Sequence, residues 1–135
     1  MNAHSLRVAL RGRTLTQRQA GLCHDMVEDG FCSLQDVKAI FGERVASIVY
    51  IVTRRKNEET YDEFIDRICD FGDTDAVEVK LDDNADNIER CEGKHDGRKD
   101  LVFMYERYIP ARVKLMNALK QRSPMIYEAR QRANP

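Results

Sequence analysis

The sequence lacks several features that would classify it at once. It contains no Trp and only three Pro among its 135 residues. Its formal net charge is −1, so no overall field favours nucleic acid or an anionic membrane surface. No apolar run approaches the roughly 20 residues of a transmembrane helix, and the first residues lack the apolar segment of a signal peptide. We therefore expect a cytoplasmic protein with neither nucleic acid nor membrane as a partner.

Paired cysteine motifs are also missing. The four cysteines are widely spaced and include no Cys-x-x-Cys pair. This usage is typical of reduced thiols in an intracellular protein. Cys23 and Cys69 fall within apolar patterns of helical period, which predicts that both are small core residues.

Helical periodicity is present nearly throughout, and strand alternation is scarce. The length indicates one domain over residues 1–135, with the core at about 4–122 and a short helix and tail at 123–135. We predict an all-α helical bundle. Five helices are expected at about 4–11, 34–41, 43–52, 60–70 and 98–122, the last with a kink near 106–108 caused by Pro110. Three more are predicted from their first residues: one opens with a Thr16–Gln19 capping box, one is capped by Thr74, and one starts at Ser123-Pro124.

A polar tetrad stands out at the end of the second predicted helix. His24, Asp25, Glu28 and Asp29 lie within six positions and cluster on one face, because residues four apart are neighbours on a helix. Such groups can ligate a metal or transfer a proton. By itself the tetrad is equally compatible with an acidic helix end carrying a solvated histidine.

A second polar cluster follows in the acidic segment 56–92, where 14 acids face 4 bases. Three Asp and two Asn occupy positions 82–87, although both residue types are mediocre helix formers. Asp83 lies next to an apolar stripe, near the core boundary, where a carboxylate requires a metal or a donor. Asp82 and Asp86 are expected to face solvent or to hydrogen bond to the groups around the site.

Together these motifs resemble the HD-domain metal-dependent phosphohydrolases. His4-Ser5-Leu6-Arg7-Val8-Ala9 is similar to that family's opening motif, with Ser5 in place of Pro. Leu22 to Asp29 and Val79 to Asn87 are similar to its His-Asp and distant-Asp motifs. The order and combination of the motifs resemble most closely the hydrolase half of the RelA/SpoT alarmone enzymes and their small stand-alone relatives.

The resemblance implies a ligand set and roles for its neighbours. His4, His24, Asp25 and Asp83 would bind one divalent metal, Mn²⁺ in the first place, with Fe²⁺, Co²⁺, Mg²⁺ or Zn²⁺ as alternatives. The acid pair Glu28 and Asp29 would transfer protons, and Asn87 would contact the substrate. By position alone, His4 would instead be a mobile terminal histidine.

The activity implied is hydrolysis of the 3′-pyrophosphate of ppGpp or a related phosphorylated nucleotide. Two alternatives stay open: a (deoxy)nucleotide phosphohydrolase with the same site, and a degenerate module that binds nucleotide or protein without turnover. The family's alarmone hydrolases carry a further basic segment before the first histidine, whereas only three residues precede His4 here. We therefore expect altered nucleotide recognition, and exposed apolar surface that favours homo-oligomers.

Several basic and aromatic residues outside these motifs have two possible interpretations each. Arg7 and Arg11 follow His4 at one-turn spacings and either reach a phosphate or form a solvated face. Thr53-Arg54-Arg55 either line the substrate cleft or face solvent. The aromatic residues Phe103, Tyr105 and Tyr108 are predicted to be core residues rather than a base-stacking platform.

Overall fold

The computed structural model describes residues 2–133. It confirms the all-α prediction, with helices packed as one bundle. The helices are α1 (Ala3–Arg11), α2 (Leu15–Glu28), α3 (Leu34–Phe41), α4 (Glu43–Val52), α5 (Tyr61–Phe71), α6 (Thr74–Cys91), α7 (Leu101–Phe103), a π-helical segment (Met104–Tyr108), α8 (Ile109–Arg122) and α9 (Pro124–Ala133).

Helix starts are set by short polar side chains that accept hydrogen bonds from free backbone N–H groups. Ser33 and Thr60 each form a full capping box, at α3 and α5. Two predicted caps are wrong by one or two positions. The α2 cap is Thr14 rather than Thr16, and the α6 cap is Asp73 rather than Thr74. Several neighbouring polar residues could cap each helix, and packing selects one of them.

Helix α6 runs through the centre of the bundle and contributes to two apolar clusters. Ala76 and Val79 pack with residues of α2, α3 and α4. Val77 and Leu81 pack with residues of α5 and α8. Because the middle of α6 is covered on nearly every side, its polar residues from Glu78 to Asp86 are buried as well. A buried polar residue requires a partner, so the partners of the α6 side chains define the polar sites of this protein.

The long C-terminal helix starts later than predicted, at Leu101, and its irregularity is a π-helical segment just before Pro110. The prediction that its aromatic residues belong to the core is wrong for two of them. Phe103 and Tyr105 are exposed, whereas Tyr108 is half-buried in the cleft described below. Helical spacing alone does not show which side of a helix other helices cover.

Other outcomes are simpler. Cys23 is buried in the core, and Cys69 is half-buried against it. On α1, Leu6 and Leu10 are 49% and 68% exposed, while self-association stays a prediction. Within residues 2–133, no helix has both the length and the apolar character needed to cross a bilayer.

Candidate metal centre

The first turn of α1 places His4 beside α2 and α6. The Asn2 side chain accepts a hydrogen bond from the Ser5 backbone N–H, which caps α1 and starts it at Ala3. A Cβ atom at Gly21 would lie 3.1 Å from Val8 Cγ1, so glycine permits the close approach of α1 to α2. His4 is consequently 8% exposed, so it is a buried residue of the bundle.

Two imidazoles and a carboxylate converge in the space between α1, α2 and α6. The Nε2 atoms of His4 and His24 lie 2.8 and 3.2 Å from the same oxygen, Oδ1 of Asp83. With metal–ligand bonds of about 2.1 Å, neighbouring donors at right angles lie about 3 Å apart. The buried group formed by His4, His24 and Asp83 could therefore hold a metal ion.

Asp25 borders the same space from α2. Its carboxylate oxygens lie 3.0 Å from His24 Nε2 and 3.7 Å from His4 Nε2. The Ser5 hydroxyl donates a hydrogen bond of 3.2 Å to the Asp25 carboxylate. The serine that departs from the resembled motif thus helps to hold Asp25, and all four residues predicted as ligands lie together.

The second nitrogen of each histidine is occupied, which orients both rings. His24 Nδ1 donates to the Gly21 carbonyl at 2.6 Å, and His4 Nδ1 donates to Asp86 Oδ2 at 2.6 Å. In the neutral ring this tautomer leaves the lone pair on Nε2, facing Asp83. Lone pairs that face a carboxylate repel it unless a cation lies between them. The donor set therefore fits a divalent metal, and a proton is the alternative cation.

The charges of the centre favour that cation. Burial opposes protonation of His24, but its hydrogen bonds to Asp25 and Asp83 and their negative charges outweigh burial and raise its pKa from 6.5 to about 10. The pKa of His4 is raised in the same manner, against burial, mainly by Asp83. A site that attracts protons this strongly also attracts a metal cation, since both bind the same lone pairs.

The other oxygen of Asp83 is held by Lys80, whose role the sequence reasoning missed. Lys80 Nζ lies 2.6 Å from Asp83 Oδ2, and both side chains are buried. Burial alone would raise the pKa of Asp83, but the Lys80 ammonium and the two imidazoles outweigh it and hold that pKa well below its ordinary value. Asp83 is thus a buried residue where the core meets the cleft described below, and it stays ionised.

Asp86 and Asp82 do not face solvent, so that part of the prediction is wrong. Asp86 is fully buried and binds His4 on one side and Arg7 on the other, with Arg7 Nε 2.6 Å from Oδ1. Asp82 binds Arg130 of α9 at 2.8 Å. Asp86 therefore orients a candidate ligand, as the second half of the prediction states, whereas Asp82 serves the packing of α9.

The centre opens into a cleft of about 630 Å³. Glu28 and Asp29 line it from the end of α2, and Asn87 lines it from α6 with Nδ2 3.4 Å from Asp83 Oδ2. Burial raises the pKa of Glu28 above its ordinary value, against the nearby Lys80 and Lys56 charges. The predicted acid pair and the predicted substrate-binding Asn thus share one cavity with the candidate ligands.

Four arginines line the cleft, and one of them, Arg7, pairs with Asp86. The other three are Arg54, Arg90 and Arg107. None of them forms an ion pair with a carboxylate of residues 2–133. By contrast Arg11 pairs with Glu89 at 2.7 Å, and Arg55 turns to the Tyr50 hydroxyl. The prediction that Arg54 lines the cleft is confirmed, whereas the same prediction for Arg55 is wrong.

Neither a protein-family model nor a curated protein matches this sequence. Among solved structures, the crystal structure of lmo0812 from Listeria monocytogenes EGD-e has a TM-score of 0.68 with this chain. The likeness covers 96% of this chain and 95% of the Listeria protein, at 22% sequence identity. At that identity the likeness concerns the fold, so any function must be argued from the site.

Proposed function

We propose that this protein is a metal-dependent phosphohydrolase of the HD-domain class, similar to the small alarmone hydrolases. The observation that carries the proposal is the convergence of two Nε2 lone pairs, on His4 and His24, with the Asp83 and Asp25 carboxylates at the floor of a polar cleft. A closed structural zinc site would leave no cleft beside its ligands, whereas a catalytic site has an open side.

His4, His24, Asp25 and Asp83 would hold one divalent metal, with Mn²⁺ as the first choice. When bound, such a metal supplies Lewis-acid chemistry and neutralises charge on a phosphate. The chain's own contribution is orientation: Asp86 and the Gly21 carbonyl fix the two imidazole rings through their Nδ1 atoms. Buried Lys80 fixes Asp83 through its second oxygen.

Glu28 is the candidate for proton transfer. It lies one turn beyond Asp25 on α2, lines the cleft, and has a pKa raised by burial above its ordinary value. A carboxyl group tuned in this direction can take a proton from the attacking water and return it to the leaving oxygen. Asp29, exposed at the end of α2, would support it from the rim of the cleft.

The cationic wall of the cleft supports a phosphorylated nucleotide as the substrate. We propose hydrolysis of the 3′-pyrophosphate of ppGpp or of a related nucleotide. Water attacks the phosphorus bound to the 3′ oxygen, the phosphorus–oxygen bond breaks, and the proton of the water is transferred to the 3′ oxygen. Arg54, Arg90 and Arg107 have no carboxylate partner in the described part of the chain, so their positive charge is available to the phosphates.

The test is a hydrolysis assay of purified protein with Mn²⁺ and ppGpp, pppGpp, NADPH and simple (deoxy)nucleotides. We expect pyrophosphate release from ppGpp, lost in Asp25→Asn together with bound metal measured by elemental analysis. Asp70→Asn, an exposed aspartate on α5, is the matched control and should retain both.

A second variant separates metal binding from proton transfer. Glu28→Gln should retain the metal while turnover falls about 10²–10⁴-fold, the usual contribution of a positioned acid or base. Glu128→Gln on exposed α9 is its control. An unchanged rate in Glu28→Gln would move the role to Asp29. Phosphate release from simple nucleotides would change the substrate, and a protein with neither turnover nor metal would contradict both enzyme hypotheses.

A further inference from the structure

The Tyr61 ring, at the start of α5, is surrounded by cations on the cleft wall. Arg54, which follows α4, has its guanidinium carbon 5.7 Å from the ring centroid. Arg107, in the π-helical segment, has its guanidinium carbon 5.5 Å from the same centroid. Arg54 and Tyr61 are close in the sequence, and the fold adds Arg107 from a distant segment. Two guanidinium groups thus lie at one aromatic side chain, within the range of cation–π attraction.

Within residues 2–133 these two arginines, like Arg90 elsewhere in the cleft, form no ion pair with a carboxylate. Lys80 also lies 5.7 Å from the Tyr61 centroid, but its ammonium is paired with Asp83. Two donors on this wall find no acceptor among residues 2–133: Arg54 Nε and the Tyr61 hydroxyl are buried and make no hydrogen bond there. Buried donors without acceptors are rare in folded proteins and mark a place where a group is missing.

The chemistry of the missing group follows from these donors. Two guanidinium groups offer several N–H donors and two positive charges, and a phosphoryl group offers the matching oxygens and negative charge. The Tyr61 ring holds the arginines in place, which lowers the entropy lost when they bind a ligand. A carboxylate of the protein could neutralise one of these arginines, but no carboxylate among residues 2–133 pairs with either of them.

We propose that Arg54, Tyr61 and Arg107 form a phosphoryl-binding subsite that acts independently of the metal centre. In the proposed phosphohydrolase, on which this assignment rests, the subsite binds a phosphate other than the one that is attacked. It therefore selects nucleotides with a second phosphorylated position over simple monophosphates. Arg54 and Arg107 are specificity-determining residues, and Tyr61 both positions them with its ring and offers its hydroxyl to the ligand.

Calorimetric titration of the metal-free protein with inorganic pyrophosphate in EDTA tests the subsite directly. We expect binding that weakens at least about tenfold in Arg54→Gln and in Arg107→Gln, as expected for lost charge-assisted hydrogen bonds. The neighbouring Arg55→Gln is the matched control, because Arg55 turns to Tyr50 and should leave affinity unchanged. Equal affinity of wild type and both cleft variants would overturn the subsite.

Tyr61→Phe separates a role of the Tyr61 hydroxyl in ligand binding from a role in stability, because melting temperature and pyrophosphate affinity should respond differently. The variant retains the ring but removes a buried hydroxyl that has no acceptor, so its melting temperature should stay equal or rise. Pyrophosphate affinity should nevertheless fall, because the vacant donor is lost to the ligand. A lower melting temperature with unchanged affinity would contradict the assignment.

Kinetics separate this subsite from the proposed activity. With active enzyme, Arg54→Gln should raise KM for ppGpp about tenfold with kcat nearly unchanged, while any monophosphate turnover keeps its KM. Loss of turnover in Asp25→Asn with unchanged KM in Arg54→Gln would overturn the subsite and leave the hydrolase function standing. Pyrophosphate binding lost in Arg54→Gln, in a protein without any turnover, would support the subsite and overturn the hydrolase function.

Discussion

Helix α6 carries two sets of buried acids that face different partners. Glu78 and Asp82 face arginines: Arg13 binds both oxygens of Glu78, at 3.2 and 3.1 Å, and Arg130 binds Asp82 at 2.8 Å. Gln17 also donates to Glu78, which closes that side. Asp83 instead faces two imidazole Nε2 atoms and one lysine, beside an open cleft.

The comparison teaches that buried acids alone do not define a metal site. An arginine is always protonated and can only neutralise a carboxylate, so an Arg–carboxylate pair is closed to a metal. An imidazole in the fixed tautomer of His4 or His24 presents a lone pair, and that lone pair accepts either a proton or a metal. The identity of the facing side chain therefore separates a packing pair from a candidate site.

The largest expected effect comes from breaking the Lys80–Asp83 pair. Asp83→Asn retains the shape but leaves the buried Lys80 ammonium without its carboxylate, whose charge otherwise overcomes burial and raises the pKa of Lys80. We expect the free energy of unfolding to fall by about 3–5 kcal/mol, together with loss of metal binding. Urea denaturation measures this free energy. The control is Asp70→Asn, whose free energy of unfolding should change by less than about 0.5 kcal/mol. A near-neutral Asp83→Asn would show that the pair is not stabilising.

A smaller effect contrasts two buried aspartates on the same helix. Asp86→Asn weakens the acceptor that orients His4, so metal affinity should fall about 10–100-fold, as for other partners of ligating histidines. Asp82→Asn should lower stability, because Arg130 loses its partner, and leave metal affinity unchanged. Metal titration calorimetry compares the two. Equal losses of affinity would remove the distinction between the two sets of acids.

The final test of the comparison is a dependence of stability on pH in the metal-free protein. Since the pKa of His24 is about 10 in the folded protein and 6.5 ordinarily, its proton stabilises the metal-free fold fully below pH 6.5, and this contribution is lost as pH rises toward 10. The melting temperature in EDTA should therefore fall across that window. Saturating Mn²⁺ or His24→Gln should reduce the slope, whereas a flat wild-type profile in EDTA would contradict the charged centre.

Local patterns were enough to predict the helices. The Ser33 and Thr60 caps join residues three positions apart, and apolar periodicity over ten to twenty residues identifies the buried faces. The predicted caps at Thr16 and Thr74 are wrong by only one or two positions, because the nearby Thr14 and Asp73 also carry a short side chain that can accept the capping hydrogen bond.

The candidate ligands were also predictable, because their motifs resemble those of a family. His4, His24, Asp25 and Asp83 lie together as that resemblance requires, while their roles as ligands remain a proposal. Lys80 and Asp86 had no comparable signal. Their importance depends on which side of α6 faces α1, and helical spacing leaves that open.

By itself the sequence thus determined an all-α chain, its approximate helix bounds and a set of candidate ligands, because caps and periodicity act over a few residues. Only the tertiary structure decided which buried acid faces an arginine and which faces a histidine. It also brought Arg107, from the π-helical segment, to the Tyr61 ring at the start of α5. Those contacts join residues distant in the chain, and their partners are selected by how the helices pack around α6.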